Sequence, residues 1–255
     1  MQMIKVNPMK KLVVSNQKGG VGKTFISTHL AHFALEKKLN TLFIDNDTQG
    51  NAGFSLGDFA TQQFNTIDIY TKDIDFKELM NEEGHTFILF KGSQEIKELS
   101  VENFQQFAIN IQRANDFFDI CIFDTAPTEG SLQDFPMLVS DFILSPFQLD
   151  NYSYNGFKTL IQRITEIQEL NESIHFLGFI PNHVDLRSTF DKEQLEEVTG
   201  AYSSYMFGDG LYIPLRSAIK VATHTRVPVW KVKNSQNAAK LVRKLSKDVF
   251  NKIGV

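Results

Sequence analysis

A single cysteine stands in 255 residues, so neither an intrachain disulfide framework nor a cysteine-ligated zinc site can hold this chain together. No uninterrupted apolar run approaches the ~20 residues that a membrane-spanning helix needs. The first ten residues, MQMIKVNPMK, lack the apolar core of a secretory leader, so a protein of the reducing cytoplasm is expected. There are only seven prolines, and no Pro/Gly-rich linker, low-complexity tract or internal repeat divides the chain. The one tryptophan contrasts with 23 phenylalanines, which read as core filling. The remaining composition, 42% hydrophobic and 22% charged, supports a sizeable core and excludes a disordered chain. Residues 1–255 read as one domain.

The net charge of −4 indicates no particular partner, but its distribution does. Residues 211–255 hold ten basic side chains against one acid, Asp248, so this stretch carries +9 and the first 210 residues carry −13. Such asymmetry points to a polyanionic partner, against the plainer reading of a solvated lysine-rich helix face.

Short apolar runs alternate with amphipathic stretches. The runs lie at residues 11–15 (KLVVS), 41–44 (TLFI), 86–90 (TFILF), 120–123 (ICIF), 142–144 and 176–180. Helical patterns lie between them, for example at 157–170 and 191–198, and Ile26, Leu30, Phe33 and Ala34 recur at helical spacing. Nearly continuous apolar strands separated by helices predict an α/β fold, a mostly parallel sheet covered on both faces.

Lys18-Gly19-Gly20-Val21-Gly22-Lys23-Thr24 lies between the first strand and the first helix, where a phosphate-cradling loop belongs. Glycines let backbone amides wrap around phosphate oxygens. Lys23 can reach the β- and γ-phosphates, and the Thr24 hydroxyl can ligate Mg²⁺. A dinucleotide fingerprint fails, because its third glycine would fall on Phe25. A metal-side carboxylate should accompany the loop, and Asp124 closes an apolar run where such a group belongs.

The loop lacks the usual first glycine, since residue 17 is Gln, and carries an extra lysine, Lys18. Asn16 to Thr24 (NQKGGVGKT) therefore resembles the deviant Walker A group of P-loop ATPases and, within it, the ParA family. Phe-Asp-Thr-Ala-Pro at 123–127 is similar to the family's segment around the Walker B aspartate. Asp45-Asn46-Asp47-Thr48-Gln49-Gly50-Asn51 resembles its D-x-D-P-Q-G-N switch segment. The resemblance runs from about residue 11 to about residue 244. It implies a P-loop NTPase fold, Mg²⁺-ATP as ligand, and a homodimer in which Lys18 reaches the nucleotide held by the other subunit. It further implies that Asp47 orients the attacking water, that Asp45, Asp124 and Thr24 lie at the metal, and that residues 18–25 line the phosphates. Asn182 and Pro214, in Ile180-Pro181-Asn182-His183-Val184-Asp185 and Ile213-Pro214, match segments that flank adenine, against the alternative of structural turns.

Three positions depart from the family pattern. Thr48 replaces proline, Phe25 replaces a second threonine, and Thr128-Glu129-Gly130 follows the Walker B segment in place of a Pro-Ser pattern. With about ten residues before the first strand, the N-terminal helix-turn-helix region of longer plasmid members is expected to be absent.

The resemblance implies a partition ATPase, nucleoid-associated, that binds double-stranded DNA without sequence preference and is stimulated by a ParB-like adaptor. Arg216, Lys220, Lys244 and Lys247 are the candidate DNA contacts. Residues 237–253 read as a last helix that packs an apolar stripe (Leu241, Leu245 and Val249, joined by Val242 and Ile253) and turns a basic face outward. The alternatives are a MinD-like positioning ATPase with a membrane-surface helix there, and a metabolic synthetase on the same fold. His29 and His32, three apart on the first helix, read as packing residues, not metal ligands.

Overall fold

The computed structural model describes residues 8–128, 130–149 and 154–255, with side chains omitted over 154–160. Glu129, in one of the departures noted above, and the first seven residues lie outside the described set. Seven strands form one sheet: β1 (Lys10–Val14), β2 (Thr41–Asn46), β3 (Gln62–Asn65), β4 (Phe87–Lys91), β5 (Ile120–Thr125), β6 (Phe142–Gln148) and β7 (His175–Asn182). Their order is β3-β4-β2-β5-β1-β6-β7, and every pairing is parallel. The sheet is thus wholly parallel, a stricter arrangement than the expected mostly parallel one. Six strands correspond to the apolar runs. The seventh, β3, is a polar edge strand (QQFN) without that signature.

The helices are α1 (Lys23–Glu36), α2 (Asn51–Leu56), α3 (Thr66–Thr71), α4 (Phe76–Leu79), α5 (Asn103–Ala114), α6 (Ser131–Val139), α7 (Tyr154–Leu170), α8 (Thr189–Ala201), α9 (Ser217–Thr225) and α10 (Gln236–Ile253). Side chains on a strand alternate between its two faces. Leu12 and Val14 of β1, Phe43 of β2 and Ile122 of β5 join one core with α1 and α10. Val13, Ile44, Cys121 and Phe123 join the opposite core with α5. Burial on both faces explains why the runs lack polar alternation.

The same alternation places the acids. Asp45 lies two residues beyond Phe43, and Asp124 two beyond Ile122, so both face the layer that contains α1. They are direct register partners on neighbouring strands. β2 and β5 each continue past these aspartates, to Asn46 and Thr125, so the acids sit within the ladder and not just beyond it.

Helix α10 buries Ala238, Val242, Leu245, Ser246, Val249, Phe250 and Ile253, with the Phe250 ring 5.1 Å from that of Phe33 on α1. Leu241, expected in the stripe, is only partly buried. Among the described residues no helix is long and apolar enough to cross a membrane.

Candidate nucleotide-binding site

The site lies at the carboxyl edge of the sheet, where β1 separates β5 from β6 and the connections diverge to either side; open parallel sheets bind ligands at such a switch point. The loop from Ser15 to Gly22 leaves β1 there and enters α1. Gly22 takes φ of 100°, and a Cβ at this position would meet the Asn182 amide nitrogen at 2.0 Å. Only glycine serves both demands.

Side chains from distant parts of the chain hold the loop. Asn16 donates from Nδ2 to the Pro146 carbonyl at 2.9 Å and accepts from the Lys18 amide at 2.9 Å. Gln133 donates to the Ser15 hydroxyl at 3.0 Å, and Gln148 donates to the Gly20 carbonyl at 2.8 Å. Asn182 donates to the Val21 carbonyl at 2.7 Å, and its Oδ1 accepts from the His183 amide at 2.8 Å. Asn182 thus braces the phosphate loop. Pro214 comes alongside: the Ile213 amide donates to the Pro181 carbonyl at 2.8 Å, and Val184 pairs with Pro214 as a parallel bridge. The two segments matched to the adenine site are adjacent in space. Gln133 and Gln148 escape sequence reading because no local pattern marks a glutamine whose partner lies more than a hundred residues away.

Lys23 is 5% exposed, and its ammonium donates to the Lys18 carbonyl at 3.0 Å. Burial pushes its pKa down, while the carboxylates of Asp124 and then Asp47 hold it up. Asp124 is fully buried, and neither of its oxygens has a hydrogen-bond partner of good geometry among the described residues. Burial, followed by the charge of Asp45, pushes its carboxyl well above the usual range; the neighbouring Thr24 hydroxyl and the Lys23 ammonium offset part of this. A carboxylate with two vacant acceptor oxygens beside a hydroxyl and beneath a phosphate loop suits a hard divalent cation, which takes oxygen ligands.

Asp45 differs. Its Oδ1 accepts from the Asp47 amide at 3.0 Å and its Oδ2 from the Gly53 amide at 2.8 Å. Burial raises its carboxyl to about 7, opposed chiefly by these amides. Its present contacts shape the 45–53 segment. Asp47, 9% exposed, follows at the strand end and accepts from the Gln49 amide at 2.9 Å.

Phe25, the departure on α1, is partly buried, its ring 4.1 Å from the His29 ring. His29 is buried. Its Nε2 accepts from the Val229 amide at 3.0 Å, which places the proton on Nδ1, 2.7 Å from the Phe25 carbonyl. His32 packs edge-on to Phe59. Both histidines are buried against aromatic rings, His29 against Phe25 and Trp230 and His32 against Phe59, which is the packing role the sequence suggests.

Burial lowers the His29 pKa to about 3 and that of His32 to about 4. Each histidine is neutral in the folded chain, while the unfolded chain takes up a proton near pH 6.5. The stability they contribute is complete above about pH 6.5 and is lost as pH falls toward 4 and then 3. We predict that His29→Gln flattens this acid limb, measured as unfolding free energy by denaturant titration between pH 7 and 4. An unchanged slope would contradict the assignment.

Of the candidate DNA contacts, Arg216 immediately precedes α9, bonds the Leu215 carbonyl at 3.0 Å and lies 3.6 Å from Asp185. Lys244 pairs with Asp248 one turn along α10. Lys220 on α9 and Lys247 on α10 are exposed.

Residues 9–176 match the AAA domain family. Protein IncC of Escherichia coli is 33% identical over 255 residues, covering 97% of this chain and 70% of its own. The chromosome partitioning protein ParA of Caulobacter vibrioides is 25% identical, covering 94% of each. Among solved structures, the ATP complex of a Cyanothece McdA variant superposes with a TM-score of 0.78 at 17% identity, covering 95% of this chain and 97% of that one. Cobyrinic acid a,c-diamide synthase from Mycobacterium smegmatis, with a bound ATP analogue and magnesium, gives 0.73 at 21% identity and 97% of each chain. At these identities the structures share the fold alone. The phosphate loop with its second lysine, the two facing strand aspartates and the relationship to IncC and ParA together make this chain a member of the ParA/MinD family of P-loop ATPases.

Proposed function

We propose that the protein is a DNA-partition ATPase: it binds Mg²⁺-ATP, dimerises with Lys18 reaching across to the partner's nucleotide, and in that form holds double-stranded DNA without sequence preference. Bound Mg²⁺ would neutralise charge on the β- and γ-phosphate oxygens, with Asp124 and Thr24 as its protein-side groups. Lys23, held at the phosphates by the loop, stabilises negative charge there, and Asp47 orients the attacking water. A ParB-like adaptor stimulates turnover, and loss of the γ-phosphate releases the switch segment.

The observation that carries the DNA reading is the division of α10. Its apolar stripe is spent on the chain's own core, while Lys240, Arg243, Lys244, Lys247 and Lys252 lie on its exposed side. A membrane-surface helix needs its apolar face for lipid, so this arrangement favours DNA over the MinD-like reading. The fold is shared with cobyrinic acid a,c-diamide synthase; the 45–51 switch segment and the +9 tail favour partition over a metabolic synthetase.

The test is retention on non-specific duplex DNA with ATP, with ADP and without nucleotide. Retention with ATP alone is expected. If Arg216, Lys220, Lys244 and Lys247 each neutralise one phosphate, affinity falls about 10²-fold between 50 and 200 mM salt. A flat salt response would contradict the reading, as would ATP-dependent retention on anionic liposomes in place of DNA.

A further inference from the structure

The turn that carries Asp47 is held by a residue 46 positions away. The Gly50 amide donates to the Asp47 carbonyl at 3.0 Å, closing a β-turn with Thr48 in its second position. Proline pre-sets the backbone at that position, and the family pattern has it there. Thr48 has no ring to do so. Instead, the Gln94 side-chain amide donates to the Thr48 carbonyl at 3.0 Å.

Gln94 is itself exposed, but its backbone is anchored. It opens a 3₁₀ turn, Gln94–Glu98, whose Ile96 is fully buried. Just before it, a Cβ at Gly92 would fall 2.0 Å from the Asp47 carbonyl oxygen, so the backbone of the β4 exit lies directly against the switch turn. On another side the turn borders a cavity of about 470 Å³ lined by Ile96, Lys97, Pro127 and Leu132, among others, where close packing does not constrain it.

We propose that Gln94 is a positioning residue for ATP hydrolysis: its amide fixes the Thr48 carbonyl and hence Asp47, supplying from outside the turn the rigidity that proline at position 48 would supply from within. The inference rests on the proposed role of Asp47. Gln94 does not touch nucleotide.

The experiment compares steady-state ATP hydrolysis by full-length protein carrying Gln94→Ala, Gln94→Glu (similar in length but no longer an amide donor) and Gln94→Ala with Thr48→Pro. The two single variants should lose about three- to tenfold in kcat, the range of one hydrogen bond's net contribution, with KM for ATP and Tm unchanged. Adding Thr48→Pro should restore most of the loss, which a merely structural role for Gln94 would not predict. Wild-type kcat in either single variant would overturn the proposal, as would equal loss in kcat and Tm. Asp47→Ala, expected to bind ATP but hydrolyse poorly, separates the two readings. If it turns over normally, the role of Asp47 falls and the proposal with it. If it is inactive while Gln94→Ala is not, only the positioning role falls.

Discussion

Lys23→Ala will lower ATP affinity by about 10²-fold or more while leaving the protein folded. The ammonium is buried at the mouth of α1 and bonds a carbonyl of the loop it serves. Burial already disfavours its charge, so the position is costly to the free protein. Two charge-assisted bonds to phosphate, at about 1.5–3 kcal/mol each, account for the expected loss. Alanine also withdraws the cation beside Asp124 and the bond to the Lys18 carbonyl, so Tm should fall modestly while the fold is kept. Calorimetric titration with ATP and Mg²⁺, paired with a melting curve, tests both parts. Wild-type affinity in the variant would refute the phosphate-loop assignment.

Asp124→Asn will separate stability from activity. Burial and the neighbouring charge of Asp45 are the two leading influences on this carboxylate, ahead of the favourable Thr24 and Lys23 contacts. Repulsion and desolvation therefore outweigh the attraction to Lys23, and a neutral side chain of the same shape should raise the Tm of the nucleotide-free protein. The same change removes the carboxylate proposed to hold Mg²⁺, and hydrolysis should fall by about 10²-fold or more. A lower Tm would show that the pairing with Lys23 dominates. Undiminished hydrolysis would remove Asp124 from the metal site. Functional sites commonly hold such groups at a cost in stability.

Much of this was legible in the chain. The phosphate-loop candidate is a contiguous motif whose chemistry depends on neighbours in sequence, so residues 16–24 could be put forward for it without coordinates. Six strands were visible because burial on both faces leaves unbroken apolar runs. Asp45 and Asp124 stood out because a charge abutting such a run is conspicuous. Strand β3 was hidden, since an edge strand half exposed to water can be polar without penalty. Leu241 packs against the core from the margin of the α10 stripe, because helical periodicity defines a face only to within a turn and tertiary contact decides how deeply each of its residues is buried.

The chain alone therefore determined the glycine-rich motif between the first strand and helix, the parallel α/β class and the concentration of positive charge in residues 211–255, since each depends on composition or on residues a few positions apart. Tertiary structure decided the rest. It set Asp45 opposite Asp124, joined Asn182 to Val21, spent the carboxylate of Asp45 on backbone amides, tied Gln94 to Thr48, and turned the apolar side of α10 inward. These depend on strand order and on hydrogen bonds between residues far apart in sequence, and such bonds become possible only once chain closure brings their partners within about 3 Å.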